Sequence, residues 1–328
     1  MNTRYKRQMI LPEVGEAGQE KLRASKVLVI GAGGLGAPVL QYLCAAGVGQ
    51  IGICDHDLVD LSNLHRQILF TRKDIGQNKA IIAKKFLNQL NEDCQVTCFN
   101  FRINHKNIEE VISDFDLVID CTDNFQSKFL IHDACFLFKK KLVQGSIYQF
   151  EGQLQCFDFK HSESAPCLRC LWPEVPAPGC VSNCQEAGVL GIIPGVFGSL
   201  QCNEAIKMIL GIEALPQGST LTLNLKSLSQ SKIKWKKSSA CPLCSNERRI
   251  NSPSKSIELR EFEVLDSQDH YTEIDLRENP HFSSREIDPK KEYLFYCQRG
   301  VRSYHFVKEL REMGLKNTYS LFGGHDGK

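Results

Sequence analysis

The sequence lacks a hydrophobic run long enough to cross a membrane. Its most apolar stretch after the N-terminal region, residues 187–200, contains Pro194 and several glycines, and it is shorter than the roughly 20 residues that a membrane span needs. The N-terminal segment MNTRYKRQMILPEVG is polar and basic, without the apolar centre of a signal peptide. We therefore expect a soluble, cytoplasmic protein with no membrane partner.

An excess of charge of one sign is also missing, because the formal net charge of the 328-residue chain is only +2. This balance gives no reason to expect nucleic acid or a membrane surface as the partner. The sequence has no internal repeat and no heptad pattern either. Its length suits one large α/β domain and a smaller unit. The 15 cysteines are spread through the chain without an export signal, so we expect most of them to be reduced.

A glycine-rich turn directly follows the first predicted strand. Residues 27–30 (VLVI) form a continuous apolar run, typical of a parallel strand buried on both faces. The G-x-G-x-x-G spacing lets a turn pass close to phosphate oxygens, and the following helix directs its free N–H groups at them. The turn contains Gly31, Gly33, Gly34 and Gly36. It predicts a nucleotide site, but the motif occurs in dehydrogenases, flavoproteins and ATP-using enzymes alike.

Acidic and basic residues follow the next predicted elements. Asp55 and Asp57 come after the second strand, at the distance along the chain where an acidic side chain holds a ribose. Arg66 lies on a short helix just beyond, where it either grips a phosphate or is a surface arginine. Lys79 opens the next helix, and a cation in the first helical turn calls for an anionic partner.

Asp123 follows the fourth predicted strand, residues 116–119. Ligands lie at the carboxyl ends of the strands in a doubly wound sheet, so Asp123 is placed to meet a phosphate-bound Mg²⁺. It could instead cap the helix predicted over residues 125–138, and both roles are compatible. By composition alone, the basic cluster at residues 4–8 is a solvated arm.

Strands and helices alternate up to residue 147, and the pattern of residues 148–159 then indicates an antiparallel strand. We therefore predict an α/β fold with a Rossmann-like, doubly wound, mostly parallel sheet. A helix over residues 193–210 and a strand over residues 220–225 close this domain.

Two C-x-x-C pairs provide a candidate metal site, Cys167 with Cys170 and Cys241 with Cys244. Their thiolates suit tetrahedral zinc, and two pairs complete a closed four-sulfur site, which is structural because it leaves no open position. A redox-active pair is the alternative.

Two other cysteines are candidates for covalent chemistry. Cys184 lies on a loop bounded by glycine and proline, where it could take an acyl group or a sulfur, or be merely structural. Cys297 heads a loop that contains Gly300 and is flanked by Arg299 and Arg302. N–H groups and guanidinium charge around the sulfur favour a reactive thiolate, whereas the alternative is a cysteine that ends a strand.

In combination these motifs resemble the HesA/MoeB/ThiF adenylyltransferases, relatives of the ubiquitin-activating enzymes. The resemblance covers residues 1–248 and rests on RYKRQ at 4–8, GAGGLG at 31–36, DHDLVDLSNLHRQ at 55–67, GQNKA at 76–80, DCTDN at 120–124, the two C-x-x-C pairs and NCQEAGV at 183–189. It implies that ATP and Mg²⁺ activate the C-terminal glycine of a small ubiquitin-like sulfur carrier, for molybdopterin or thiamine synthesis.

The same resemblance implies roles for individual residues. Asp55 should hold the ribose, and Asp123 the Mg²⁺ or the reacting phosphate. Arg7 should reach the nucleotide site of the partner subunit in a homodimer. The phosphates should be bound by Asn63, Arg66 and Lys79. The full set of nucleotide-binding candidates is the four glycines of the turn with Asp55, Asp57, Asn63, Arg66, Gln67, Lys79 and Asp123.

Residues 259–328, after a predicted linker at 249–258, resemble a rhodanese domain. The resemblance rests on IDLRE at 274–278, on the loop from Cys297 to Ser303 and, more weakly, on LFGG at 321–324. It implies that Cys297 accepts a persulfide sulfur from a donor such as a cysteine desulfurase and passes it to the activated carrier. About one helix and one strand of a full rhodanese are missing before Cys297, so a unit that only docks a partner is the alternative.

Two further hypotheses compete for the large domain. An NAD-dependent oxidoreductase would use the same glycine turn, but the sequence offers no acid/base pair for hydride transfer. A non-catalytic carrier-binding module is disfavoured because the charged residues of the candidate site are all present.

Overall fold

The computed structural model of the protein describes residues 3–161, 164–176, 188–257, 259, 262–298 and 300–327. The chain forms two compact units, Met1–Ile257 and Glu258–Lys328. No helix within the described ranges is both long and apolar enough to cross a membrane.

The first unit is built on one eight-stranded sheet. Its strands are β1 Lys26–Ile30, β2 Gln50–Cys54, β3 Gln95–Phe99, β4 Leu117–Asp120, β5 Lys141–Tyr148, β6 Glu151–Asp158, β7 Ser219–Asn224 and β8 Ser229–Lys234. The order is β3-β2-β1-β4-β5-β6-β7-β8. The strands from β3 to β5 are parallel, and β6, β7 and β8 are added antiparallel. The predicted α/β fold with a mostly parallel sheet is confirmed.

Helices cover both faces of this sheet. They are α1 Lys6–Met9, α2 Gly15–Ala24, α3 Gly36–Ala46, α4 Lys79–Leu90, α5 Ile108–Ser113, α6 Phe125–Leu137, α7 Leu168–Leu171 and α8 Ile192–Leu210, with short 3-10 turns at Thr3–Tyr5, Leu61–Asn63, Arg72–Asp74 and Pro253–Ser256. One core contains residues of α2, α3, α4 and α8, and the other contains residues of α5 and α6. Val27 and Val29 enter the first core, and Leu28 and Ile30 enter the second, which explains the continuous apolar run.

Asparagine side chains begin two of the helices. Asn78 accepts a hydrogen bond from the Ile81 N–H at the start of α4, and Asn124 accepts one from the Ser127 N–H at the start of α6. The capping role considered for Asp123 is therefore wrong, because the next residue fills it. This leaves the Asp123 carboxylate at the carboxyl end of β4 without a capping contact.

Strand β8 was not predicted from the sequence. All six of its residues are exposed, and it pairs only with β7 at the edge of the sheet. It therefore shows no alternation of apolar and polar residues, which is the pattern that identifies a half-buried strand. Its lysines are typical of edge strands, where charge opposes pairing with another chain.

The second unit has a four-stranded parallel sheet in the order β10-β11-β12-β9. Its elements are β9 Glu263–Val264, β10 Tyr271–Asp275, β11 Glu292–Tyr296, α9 Val301–Glu312 and β12 Thr318–Leu321, with 3-10 turns at Ser284–Glu286 and Gly324–Gly327. A small core joins Tyr293 and Phe295 of β11 to Val307 and Leu310 of α9. The unit therefore has its own hydrophobic core.

Candidate functional site

The glycine turn lies between β1 and α3, at the carboxyl edge of the sheet. Gly31 has φ +96°, a left-handed conformation that side chains rarely adopt. A Cβ on Gly36 would lie 1.9 Å from the Gly31 carbonyl oxygen. Backbone packing alone thus requires glycine at these two positions. Gly33 is different, because the one atom of the described residues within 4 Å of a Cβ there would be Gln67 Nε2, at 3.6 Å. The turn is therefore open above Gly33, which is where a ligand can approach the backbone.

Asp55 connects the end of β2 to this turn. Its Oδ2 accepts a hydrogen bond from the Ala32 N–H at 2.7 Å, and its Oδ1 accepts one from the Asp57 N–H at 2.9 Å. Burial raises the pKa of the Asp55 carboxyl, and the nearby Lys79 only partly opposes that effect. A carboxylate offers about four acceptor positions, so two remain for hydroxyl groups of a ligand.

Lys79 lies at the same edge. Its side chain is only 6% exposed, and its Nζ lies 2.9 Å from Oδ2 of Asp57, whose side chain is 54% exposed. Asp57 is therefore an anionic partner of the kind expected for a lysine in the first turn of a helix. Burial by itself would raise the pKa of Asp57, but the attraction and hydrogen bond of Lys79 outweigh it and lower that pKa. The ion pair keeps a buried cation beside the turn.

The segment after the 3-10 turn Leu61–Asn63 brings two more candidates to the glycines. The Asn63 carbonyl accepts hydrogen bonds from the backbone N–H groups of Arg66 and Gln67. Arg66 Cγ lies 3.5 Å from the Cβ position of Gly34, so the arginine flanks the turn, and its Nη1 donates to the Ser62 carbonyl. Gln67 is only 4% exposed, and its Oε1 has no hydrogen-bond partner within the described part of the chain. An unpaired buried acceptor is costly in a folded protein.

The loop that carries Asp123 lies next to the turn, since the Cys121 N–H donates to the Ile30 carbonyl. Asp123 is exposed. Three residues before it, Asp120 is fully buried, and its Oδ1 accepts hydrogen bonds from both the N–H and the hydroxyl of Thr122. This pair of bonds fixes the backbone one residue before Asp123.

Three buried side chains hold Asp120 and were not identified from the sequence. Lys128 Nζ and Gln144 Nε2 lie 3.2 and 2.7 Å from Asp120 Oδ2, and Gln201 Nε2 donates to the Asp120 carbonyl. The available signal was a charged residue inside an apolar helix, FQSKFLIHDACFL, because a lysine at such a position needs a buried anion.

The N-terminal segment is anchored rather than solvated, which corrects the interpretation from composition. Tyr5 is buried and its hydroxyl accepts a hydrogen bond from Asn91, while Gln8 Nε2 donates to the Ala46 carbonyl. These contacts lie at the C-terminal ends of α4 and α3, so the arm sits at the end of α3 opposite to the glycine turn. Arg7 is exposed in this chain.

The two C-x-x-C pairs meet in one cluster. The Sγ atoms of Cys167, Cys170, Cys241 and Cys244 all lie within 4.8 Å of one another. Three Sγ–Sγ separations are 3.8 Å for Cys167–Cys170, 3.5 Å for Cys167–Cys241 and 3.3 Å for Cys170–Cys244. Four thiolates about 2.3 Å from a tetrahedral Zn²⁺ are about 3.8 Å apart, so the donor set fits this ion. Hydrogen bonds within the cluster lower the pKa of the Cys170 and Cys241 thiols and raise the pKa of the Cys167 thiol.

Arg169, between the first two cysteines, anchors the cluster to α6. Its guanidinium and the Asp133 carboxylate are both fully buried and lie 2.8 Å apart. His132 accepts a hydrogen bond from the Leu168 N–H, and the Ser256 carbonyl accepts one from Arg169. Removing one partner of such a buried pair costs roughly 3–5 kcal/mol. These contacts therefore fix the segment that carries Cys167 and Cys170 against α6.

The candidate thiol of the second unit lies directly after β11. Cys297 is 7% exposed, and its carbonyl accepts a hydrogen bond from the His325 N–H at 2.7 Å. Arg302, expected near the sulfur, donates to the Pro280 carbonyl at 3.2 Å. Arg299 and Cys184, the other cysteine with a predicted covalent role, both lie outside the described residues.

Comparison with known proteins identifies relatives along most of the chain. A sequence profile of the ThiF family matches residues 5–243. The chain is 47% identical over 246 residues to the sulfur carrier protein adenylyltransferase of Thermus thermophilus, covering 74% of this chain and 91% of that protein. It is 38% identical over 341 residues to the probable molybdopterin-synthase adenylyltransferase of Porphyra purpurea, covering 94% of this chain and 88% of that protein.

A third relative is longer than this chain. The chain is 42% identical over 275 residues to the adenylyltransferase and sulfurtransferase MOCS3 of Culex quinquefasciatus, and the match covers 83% of this chain but only 61% of that protein. Among solved structures, Escherichia coli MccB with ATP matches with a TM-score of 0.65 at 20% identity, covering 74% of this chain and 75% of that one. This structural likeness shows the shared fold.

We predict that Gly33→Ala and Gly36→Ala affect different properties. Gly36→Ala should destabilise the first unit by about 1–3 kcal/mol, since its Cβ collides with the Gly31 carbonyl. Gly33→Ala should leave stability unchanged but weaken ATP binding at least about tenfold, because its Cβ fills the opening above the turn. Thermal unfolding and calorimetric titration with ATP measure the two effects. Equal ATP affinity in Gly33→Ala and the parent would show that no phosphate approaches this turn.

Proposed function

Because the chain belongs to the ThiF family, we propose that it is an ATP-dependent adenylyltransferase that activates the C-terminal glycine of a small ubiquitin-like sulfur carrier. The observation that carries this proposal is the pair of cations, Arg66 and buried Lys79, beside a glycine turn that is open above Gly33. The names of two relatives, a sulfur carrier protein adenylyltransferase and a probable molybdopterin-synthase adenylyltransferase, support this type of substrate. The activated carrier would serve molybdopterin or thiamine biosynthesis.

The chemistry needs positive charge more than a general base. A terminal carboxylate has a pKa of about 3.5, so at neutral pH it is already the nucleophile. Its oxygen attacks the α-phosphorus of ATP, a new P–O bond forms, and the bond to the β-phosphate oxygen breaks as pyrophosphate leaves with the electron pair. The site must therefore neutralise the phosphates and align the two reactants.

Each candidate residue has a role in that reaction. Asp55 holds the ribose, while Asn63, Arg66, Gln67 and Lys79 contact the phosphates. Lys79 is already desolvated and held beside the turn by Asp57, and its ammonium group has further N–H donors for the triphosphate. Asp123 would hold Mg²⁺, which supplies further neutralisation of the phosphates when bound.

Arg7 acts in the nucleotide site of the partner subunit of a homodimer. Two observations support this assignment. The arm that carries Arg7 is anchored at the end of α3 opposite to the glycine turn of its own chain, and the Arg7 side chain is exposed. Such an arrangement presents a cation to a second subunit rather than to the nearest turn.

The second unit, from about residue 259, is a shortened rhodanese-like domain that takes part in sulfur transfer. The alignment with the Porphyra purpurea protein supports this assignment. It covers 94% of the 328 residues, which is more than the unit Met1–Ile257 contains, so it extends into the second unit. The Culex quinquefasciatus relative is named a sulfurtransferase.

Cys297 accepts a sulfur as a persulfide, from a donor such as a cysteine desulfurase. The terminal sulfur then attacks the carbonyl carbon of the carrier acyl adenylate, AMP leaves, and an acyl disulfide to Cys297 forms.

The four clustered cysteines bind a structural zinc ion. Their donor set and spacing support Zn²⁺, and the amide N–H groups of Ser238 and Cys244 donate to Cys170 Sγ and Cys241 Sγ, as is usual around thiolates. The ion joins the segment after β6 to the segment after β8, and its contribution is to stability rather than to the reaction.

Pyrophosphate exchange into ATP tests the adenylation. We expect exchange that depends on a carrier ending in Gly-Gly, and a loss of at least about a hundredfold in Lys79→Met and in Arg66→Met. Lys85→Met, an exposed change on the same helix α4, is the control and should exchange at the parent rate. The absence of exchange with every small carrier, or reduction of NAD⁺ instead, would refute the proposal.

Metal analysis tests the cysteine cluster. We expect close to one zinc per chain in the parent, and loss of zinc together with a lower unfolding temperature in Cys170→Ser and Cys244→Ser. Cys98→Ser is a suitable control, because Cys98 donates to the Ala80 carbonyl, as a serine can, outside the cluster. Full zinc content in both cluster variants would contradict the assignment.

Cys297→Ala tests the sulfur-accepting role. The variant should retain carrier-dependent pyrophosphate exchange and lose sulfite release from thiosulfate, since the two activities belong to different units. Equal sulfite release by variant and parent would show that Cys297 does not accept the sulfur.

A further inference from the structure

A buried chain of two hydroxyl groups ends at the sulfur of Cys297. Ser320 Oγ donates to Ser303 Oγ at 3.1 Å, and Ser303 Oγ lies 3.7 Å from Cys297 Sγ, within hydrogen-bonding distance of a sulfur acceptor. Both serines are completely buried, and Cys297 is 7% exposed. The three residues come from β12, α9 and the end of β11, so only the tertiary fold brings them together.

We propose that Ser303 and Ser320 are positioning residues for the Cys297 thiolate. Ser303 stabilises the anionic sulfur directly, and Ser320 holds the Ser303 hydroxyl in the orientation that does so. The inference deepens the proposed function, because it takes Cys297 as the sulfur-accepting residue.

The competing acceptor of Ser303 explains why the effect is specific for the ionised thiol. Ser303 Oγ also lies 3.2 Å from the Gly300 carbonyl oxygen, and the hydroxyl has only one proton to donate. A neutral thiol is a weak acceptor, so the proton then points to the carbonyl. A thiolate is charged and forms the stronger hydrogen bond, so rotation of one O–H bond is sufficient to stabilise it.

Ser320 strengthens this arrangement. Its hydroxyl donates to the oxygen of Ser303, which polarises the Ser303 O–H bond and makes it a better donor. It also occupies one lone pair of Ser303, which limits the orientations of that hydroxyl. Both effects act on Cys297 only through Ser303, so the loss of Ser320 should have the smaller consequence.

The low exposure of Cys297 makes such donors necessary. A thiolate that is largely removed from water is disfavoured unless nearby groups compensate for the lost hydration. Helix α9 begins directly after Gly300, and its N-terminal dipole adds positive potential near the loop. The hydroxyl chain adds the directional part of this stabilisation.

The consequence for the reaction is that a larger fraction of Cys297 is present as the nucleophilic thiolate at neutral pH. The Cys297 thiolate attacks the sulfane sulfur of thiosulfate, a new S–S bond forms, the donor S–S bond breaks, and sulfite leaves with the electron pair. Only the ionised sulfur is the nucleophile, so any group that favours it increases the rate at a given pH.

The test is the pH dependence of Cys297 alkylation in the full-length protein, followed by mass spectrometry of the peptide that contains Cys297. In Ser303→Ala, the midpoint of the rate profile should move up by at least about one pH unit, as expected when a hydrogen bond to a charged group is lost. Ser320→Ala should give a smaller shift in the same direction, and Ser303→Thr, which keeps the hydroxyl, should restore the parent midpoint.

Ser284→Ala, a change in a 3-10 turn of the same unit, is the control and should not move the midpoint. An unchanged midpoint in folded Ser303→Ala would overturn the inference, and if that variant does not fold, an unchanged midpoint in Ser320→Ala does so. Sulfite release is measured in parallel. A shifted midpoint without sulfite release by the parent would refute the sulfur-accepting role of Cys297 and leave the hydroxyl chain supported.

Discussion

The close contact between two glycines at the end of β1 is the constraint on which the first unit depends. Because Gly36 has no Cβ, its backbone packs against the Gly31 carbonyl, and the chain turns directly from β1 into α3. The start of α3 then lies at the carboxyl end of β1, which β2 and β4 flank on either side. Apart from Arg7, every charged candidate residue of the nucleotide site comes from a segment that meets this edge.

The charges at that edge are prepared before any ligand arrives. Asp55 holds the turn, Asp57 holds the buried Lys79 beside the turn, and Asp120 fixes the loop before Asp123. Each acidic group therefore has a different structural task, although all three follow strand ends. In the second unit, too, buried polar groups lie at the candidate site. Ser303 and Ser320 are completely buried and hydrogen-bonded to each other, and Ser303 also contacts the candidate sulfur.

Much of this arrangement could be predicted from local pattern. The apolar run of β1, the glycine spacing and the paired cysteines are each recognisable within a short stretch, and the structure brings the four sulfurs together. Strand β8 could not be predicted, because an edge strand exposed on both faces has no apolar period. The contacts of Gln144 with Asp120 and of Ser320 with Ser303 could not be predicted either, because these partners are 24 and 17 residues apart and only tertiary packing brings them together.

The central claim is that a carrier carboxylate attacks the α-phosphorus of ATP at this edge. Labelling the terminal carboxylate of the carrier with oxygen-18 and analysing the phosphate products by mass spectrometry tests it most directly. Our account predicts that one labelled oxygen appears in AMP once sulfur has displaced it from the carrier. Label in pyrophosphate or inorganic phosphate, or unlabelled AMP, would contradict the account.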